Sequence, residues 1–257
     1  MLNAEAVRRG LDPFWTSLEV VAETGSTNDD VLAAAAAGAQ EGTVRSAEYQ
    51  SAGRGRMARQ WEAPAGSSVM FSVLLRPSVP MTHWGWIPLL VGLGIHDALR
   101  DAGADVTLKW PNDVQLGPDR KKCGGILAQA TTGAVVVGIG LNAVTHDGLP
   151  DTAAAIDSQW QTTREDLLRG VLNSIAAYYR TWNSAGGEVE RSGLLDAYRE
   201  ACGTVGQRVK VMLPATPEPV IGNARDVDAD GRLIVTTEDG SDLIVGAGDV
   251  IHVRPAS

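Results

Sequence analysis

The sequence predicts an α+β protein: a large α/β domain over residues 1–202 and a small all-β domain over 203–257. Three observations predict it. Up to about residue 202, apolar runs of strand length alternate with stretches of helical composition. After Gly203 the pattern changes to short alternating strands at 207–213, 219–227, 232–237, 242–246 and 249–253, cut by Pro or Gly turns such as Asp230-Gly231 and Asp239-Gly240. No apolar run approaches the roughly 20 residues that a membrane helix needs.

The elements follow in order. A short helix is expected over 2–10, closed by Gly10 and the Asp12-Pro13 pair. Leu18–Glu23 reads as a strand. It runs into "GSTNDDVLAAAAAGA", where Ser26, Thr27 and Asn28 are capping residue types, and Asp29 and Asp30 suit the positive end of a helix dipole. The alanine run propagates the helix and Gly38 ends it. Thr43–Tyr49 is a strand, followed by a Gly-Arg loop, and "SVMFSVLLR" (68–76) is a strand with little exposure. Residues 84–102 form an apolar helix closed near Gly103. Val106–Trp110 is a short strand halted by Pro-Asn-Asp. Gly125–Thr131 and Ala134–Asn142 flank a Thr-Gly turn and form a hairpin. Thr162-Thr163 start a helix to about Trp182, with capping-box spacing to Glu165 or Asp166, and a last helix covers Ser192–Cys202.

Charge narrows the function classes. With 22 Lys+Arg against 31 Asp+Glu the chain is acidic, which argues against generic nucleic-acid binding. Yet residues 53–61, "GRGRMARQW", hold three arginines on one turn. Glycines let a backbone pass close over a ligand, and guanidinium forks match phosphate or carboxylate oxygens. Trp61 offers a flat face for a base to stack on. Two cysteines are too few for a disulfide framework, and four scattered histidines have no metal-ligand spacing. The N-terminus lacks a secretion signal's apolar core, so a cytoplasmic protein without a structural metal is expected.

Further short motifs stand in sequence. "KWPNDV" (109–114) sets a lysine, an asparagine and an aspartate around a proline that forces an extended turn. "KKCGGIL" (121–127) pairs lysines with glycines at the head of a strand, a place of close backbone approach. "GIGLN" (138–142) invites a dinucleotide-fold reading, but the third glycine and the helix that a Rossmann fingerprint needs are missing.

In this order and spacing, "GSTN", "EYQSAGRGRMARQW", "KWPNDV", "KKCGGILAQ" and "VVVGIGLN", followed by a small C-terminal barrel, closely resemble the biotin protein ligases over nearly the whole chain. The resemblance implies a core like that of the class II aminoacyl-tRNA synthetases and an SH3-like barrel. It also implies a two-step reaction: biotin and Mg²⁺-ATP give biotinyl-5′-AMP and pyrophosphate, and biotin then passes to one lysine of a biotin carboxyl carrier domain of an acetyl-CoA, acyl-CoA or pyruvate carboxylase. By the same resemblance, Ser26, Thr27, Asn28 and Gln50 bind the ring and ureido end of biotin. Gly53, Arg54, Gly55 and Arg56 form a loop that orders over the adenylate. Arg59 and Trp61 serve the nucleotide, Trp61 against adenine. Lys122, followed by Cys123 and Gly124, touches both carboxylate and phosphate. Lys109, Asn112, Asp113 and Asn142 line the nucleotide side, with Asp113 as a proton acceptor or orienter for the carrier lysine. Lys122, Arg54 and Asp113 are the expected catalytic set.

The chain departs from the pattern at Cys123-Gly124, where the family usually has an apolar residue and alanine. Cys123 is read as packing, with an oxidisable thiol as the alternative. The chain begins almost at the catalytic domain, leaving no room for the helix-turn-helix of ligases that double as repressors, so neither DNA binding nor membrane association is expected. The oligomeric state, monomer or homodimer, stays open. Rival readings are a lipoate or octanoate ligase on the same fold, a nucleic-acid-binding module using the Arg loop, and an inactive homologue.

Overall fold

A computed structural model describes residues 1–213, 218–246 and 249–252. The chain folds as α1 (Ala4–Arg8), β1 (Ser17–Thr24), α2 (Thr27–Ala36), β2 (Thr43–Gln50), β3 (Ser68–Leu75), α3 (Ile87–Asp101), β4 (Val106–Lys109), β5 (Asp113–Leu116), β6 (Lys121–Thr131), β7 (Ala134–Asn142), α4 (Arg164–Ser184) and α5 (Leu194–Ala201). The second unit follows as β8 (Arg208–Met212), β9 (Val220–Val227), β10 (Leu233–Thr237), β11 (Asp242–Val245) and β12 (Asp249–His252). Residue 253, the last of the expected fifth strand of that unit, lies outside the described residues.

The first seven strands make one mixed sheet in the order β1-β2-β3-β7-β6-β5-β4, parallel only between β1 and β2. Its centre is apolar because β3 and β7 are buried on both faces. On one face Phe71, Val73, Leu75, Val135 and Val137 join the core with α3 and α4; on the other, Val31 of α2 packs on Leu74 and Val136. Two-residue alternation therefore puts Ser72, Gly138 and Gly140 on the α2 face. α2 covers only part of that face, and the uncovered part holds the site. The second unit is a five-stranded antiparallel sheet, β11-β10-β9-β8-β12.

Four expectations needed correction. β5 was hidden in the turn after Pro-Asn-Asp: four residues are too few to show a period. β6 begins at Lys121 rather than Gly125, so the Lys-Lys-Cys-Gly-Gly run is strand throughout. Residues 81–86 form a 3₁₀ turn and α3 proper starts at Ile87, where Pro88 suits a helix start. The first helix is also shorter than 2–10, with Asn3 as its cap accepting from the Ala6 amide. Thr163 caps α4 and settles the capping box on Asp166.

Two devices fix the outer elements. Glu48 of β2, nearly buried, accepts from the Leu2 amide and pairs with Arg164 of α4 at 2.9 Å. Burial pushes the Glu48 carboxyl up, and the Arg164 guanidinium with the Leu2 amide outweighs it, so it ends below its ordinary range. Between the two units, the Gly203 amide donates to the Leu108 carbonyl at 2.8 Å, laying the connecting chain beside β4.

Candidate active site

A cavity of about 350 Å³ opens on the α2 face of the large sheet, within the size range of small-molecule sites. Its floor is β6 and β7; its walls are the start of α2, the 53–61 arm and the KWPND turn.

One end is polar and uncharged. Ser26 occupies the N-cap of α2 but makes no side-chain capping bond, so capping does not account for it. The Gln50 side-chain oxygen accepts from the Thr27 amide (2.8 Å) and the Thr27 hydroxyl (3.1 Å). Asn28 donates to the Gln129 side-chain oxygen at 2.6 Å and to the Leu127 carbonyl at 3.3 Å. Ser72 Oγ lies 2.7 Å from Thr27 Oγ1 and 2.6 Å from Asn28 Oδ1, fully buried. Ser72 and Gln129 were not among the expected residues. A hydroxyl in the middle of the apolar strand "SVMFSVLL" was the available signal for Ser72, since a buried hydroxyl needs a partner.

The glycines of "GIG" acquire a reason. A Cβ on Gly138 would stand 2.1 Å from Asn28 Oδ1, and one on Gly140 would stand 2.5 Å from the Trp61 ring. Along the α2 face, β7 thus thins from Val136 to Gly138 and Gly140 so that Asn28 and Trp61 can rest on bare backbone. Gly125 of β6 also lies under Trp61, with a built Cβ 3.3 Å from its ring. The strand buries its glycines against protein groups, not a dinucleotide.

The other end is cationic. Arg54, Arg56, Arg59, Lys109 and Lys122 line the cavity against a single carboxylate, Asp113. Lys122 Nζ meets Asp113 Oδ1 at 2.6 Å and stands 6.0 Å from the Trp61 ring centre. Arg56 donates to Asn112 Oδ1 at 3.1 Å, tying the arm to the KWPND turn, while Asn112 Nδ2 donates to the Ile126 carbonyl at 3.1 Å. Burial pushes the Lys109 ammonium below its ordinary range; Asp113 opposes this, and Lys122 and Arg59 reinforce it. Burial lowers Arg56 in the same way, with Asp113 opposing. A partly dry cluster of like charges beside one carboxylate is a site built for an anion.

The 53–61 arm is itself a small hairpin. The Trp61 amide donates to Gly53 (3.0 Å), the Gly55 amide to Arg59 (2.7 Å), and Arg54 bridges Gln60 across it. Gly53 is required here: a Cβ would stand 2.4 Å from the Trp61 carbonyl oxygen. Arg54 pairs with Asp29 at the start of α2. The Trp61 indole N–H is buried without a hydrogen-bond partner. Behind Trp61 lies a second hollow of about 410 Å³, bordered by Tyr49, Glu62 and His146.

Three expected residues do not reach the cavity wall. Gly53 and Gly124 serve backbone packing, Gly124 with a built Cβ 2.5 Å from Leu141. Asn142 donates to the Ala154 carbonyl at 3.4 Å; the Ala154 amide in turn donates to Lys122 O at 2.9 Å, so Asn142 meets the segment that holds Lys122. Cys123 points away into the core, fully buried, and burial pushes its thiol to about 12. That leaves the packing role and removes the oxidisable one. Among the described residues no three His, Cys, Asp or Glu side chains group to hold a metal, and no helix is long and apolar enough to cross a membrane.

Comparison with known proteins places the chain in a family. Residues 21–143 match the biotin/lipoate A/B protein ligase family and residues 204–253 the biotin protein ligase C-terminal domain. The biotin--[acetyl-CoA-carboxylase] ligase of Mycobacterium tuberculosis is 39% identical over 254 residues, which is 95% of this chain and 92% of that one. The bifunctional ligase/repressor BirA of Escherichia coli is 29% identical, covering 91% of this chain and 73% of its own. Among solved structures, the biotin protein ligase of Aquifex aeolicus in complex with biotin and ATP superposes with a TM-score of 0.75 at 23% identity, over 92% of this chain and 99% of that one. The chain belongs to the biotin protein ligase family.

Proposed function

We infer that the protein is an ATP-dependent biotin ligase. It activates biotin as biotinyl-5′-AMP and transfers it to a lysine of a biotin carboxyl carrier domain in a carboxylase. One observation carries the reading: a single cavity runs from an uncharged hydrogen-bonding end at Thr27, Asn28 and Gln50 to a cationic end at Lys122, Lys109 and Arg56. That polarity matches a ligand with a neutral ureido head and an anionic tail that must meet a triphosphate.

In the first step a biotin carboxylate oxygen attacks the α-phosphorus of ATP. The bond from that phosphorus to the bridging oxygen breaks, and pyrophosphate leaves with the electron pair. Two anions have to approach, and Lys122 and Arg54 lower that barrier by neutralising both, charge stabilisation in a water-poor site being usually the largest catalytic contribution. Arg56 and Arg59 hold phosphate oxygens and Trp61 lies against adenine. Lys109 and Asn112 border the nucleotide, and Asn142 acts on it only through the segment behind Lys122. A magnesium ion accompanying ATP would neutralise phosphate charge, and Asp113, the one carboxylate among the cavity-lining residues, would be the group to hold it.

In the second step a carrier-lysine amine attacks the acyl carbon, the carbon–oxygen bond to phosphate breaks, and AMP leaves. At neutral pH a lysine with an ordinary pKa near ~10.4 is almost wholly protonated. Asp113, already paired with one ammonium at 2.6 Å, is the group to receive or orient the lost proton. The Gly-Arg arm excludes water from the mixed anhydride. The division of the chain at residues 202 and 203 and a cytoplasmic location belong to the same proposal.

The test is biotin-dependent exchange of labelled pyrophosphate into ATP, with lipoate and octanoate as competitors. Exchange with biotin and none with the others is expected. Exchange driven by lipoate instead would make this a lipoate ligase on the same fold.

A further inference from the structure

The KWPND turn does not stand on its own domain alone. Trp110, almost fully buried, donates from its indole to the Gly231 carbonyl at 3.0 Å, and its backbone amide donates to Thr204 Oγ1 at 3.1 Å. Both partners belong to the C-terminal unit. A second indole, Trp86 before α3, donates to the Ala229 carbonyl at 2.8 Å. Two tryptophans from different elements of the large domain thus grip carbonyls two residues apart on one turn, Asp228 to Arg232.

That turn is built to be gripped. The Asp228 carboxylate accepts from the amides of Asp230 (3.0 Å) and Arg232 (2.9 Å) and from the Arg232 side chain (2.8 Å), and the Gly231 amide donates to the Asp228 carbonyl. Gly231 has φ +80, and a Cβ there would press on Gly85 at 3.0 Å; a Cβ on Gly85 would stand 2.5 Å from the Asp230 carbonyl oxygen. Two backbones meet face to face with no side chain between them.

Trp110 is followed at once by Pro111, Asn112 and Asp113, and Asp113 holds Lys122 while Asn112 holds Arg56. We propose that the Asp228–Arg232 turn of the C-terminal unit, acting through the Trp110 indole, is a positioning element for the nucleotide end of the active site. This rests on the ATP-dependent reading above and adds to it a named route from the small domain to the reacting groups. The same unit reaches the cavity directly at Val250 of β12. The polar end, built from α2, β2, β3 and β6, takes nothing from this turn.

The experiment measures KM for ATP, kcat of pyrophosphate release and Kd for biotin in the full chain and three variants. Trp110→Phe deletes the indole donor, Asp228→Asn loosens the distant turn, and Trp86→Phe deletes the other grip without touching the KWPND segment. Trp110→Phe and Asp228→Asn are expected to raise KM for ATP about fivefold, the equilibrium worth of one neutral hydrogen bond, with biotin Kd unchanged. Trp86→Phe is expected to lower thermal stability and leave KM for ATP at the parent value. If Trp110→Phe fails to fold, Asp228→Asn carries the test. An unchanged KM in Asp228→Asn, an equal rise in Trp86→Phe, or a matching loss of biotin affinity overturns the positioning role. A parent chain inert toward ATP and biotin overturns the ligase reading itself.

Discussion

Gly138→Ala is a one-methyl perturbation whose consequence can be worked from the site. The new Cβ would stand 2.1 Å from Asn28 Oδ1 and 2.9 Å from its Cγ, so Asn28 has to leave. Its bonds to Gln129 at 2.6 Å and Ser72 at 2.6 Å go with it, and the methyl also intrudes on the cavity floor. Forcing a methyl into a packed position costs about 2 kcal/mol, near 30-fold in Kd if felt wholly in binding. Calorimetry with biotin should therefore show a loss of about that size, while ATP affinity, read at the other end of the cavity, stays within about twofold. Gly170→Ala is the control: on α4 nothing lies within 4 Å of the added methyl, and stability should rise by about 1 kcal/mol. Parent-like biotin affinity in a folded Gly138→Ala protein would refute the assignment of Asn28 to the biotin end.

In the proposed mechanism Lys122 faces both anions, so Lys122→Met should slow pyrophosphate release by about 10²- to 10³-fold. Its far-ultraviolet spectrum should be unchanged, because the Lys122–Asp113 pair is partly exposed. Glu48 has a lowered carboxyl pKa in the fold, so its contribution is complete above the ordinary carboxylate range of about 4 and is lost as pH falls through the lower folded value. Thermal scans from pH 6 to pH 3 should show a fall in Tm that Glu48→Gln makes shallower. Cys123 and Cys202 are both buried, and the native protein should resist maleimide at pH 8 and label fully in denaturant.

The long periodic elements were legible in the sequence: the alanine helix, the β6–β7 hairpin and the capped α4 carry their signals within a few residues. β5 was not, because a four-residue strand has no period of its own and exists through pairing with β4 and β6. The expected site residues were legible as motifs, and most of them line one cavity. What escaped depends on register. Ser72 and Gln129 become partners of Asn28 only when β3, β6 and β7 align beneath α2, and the glycines of β7 make sense only once Asn28 and Trp61 are seen lying on them. The link from Trp110 to Gly231 spans 121 positions, beyond any local pattern. Asn142, expected at the nucleotide, lies outside the cavity wall because the end of β7 turns its side chain to Ala154.

The deciding measurement is intact mass of a biotin carboxyl carrier domain after incubation with this protein, biotin and Mg²⁺-ATP. A mass gain of one biotinyl group on a single lysine, absent without ATP, is the expected result. An unmodified carrier, alongside a parallel control ligase that biotinylates it, would contradict the account.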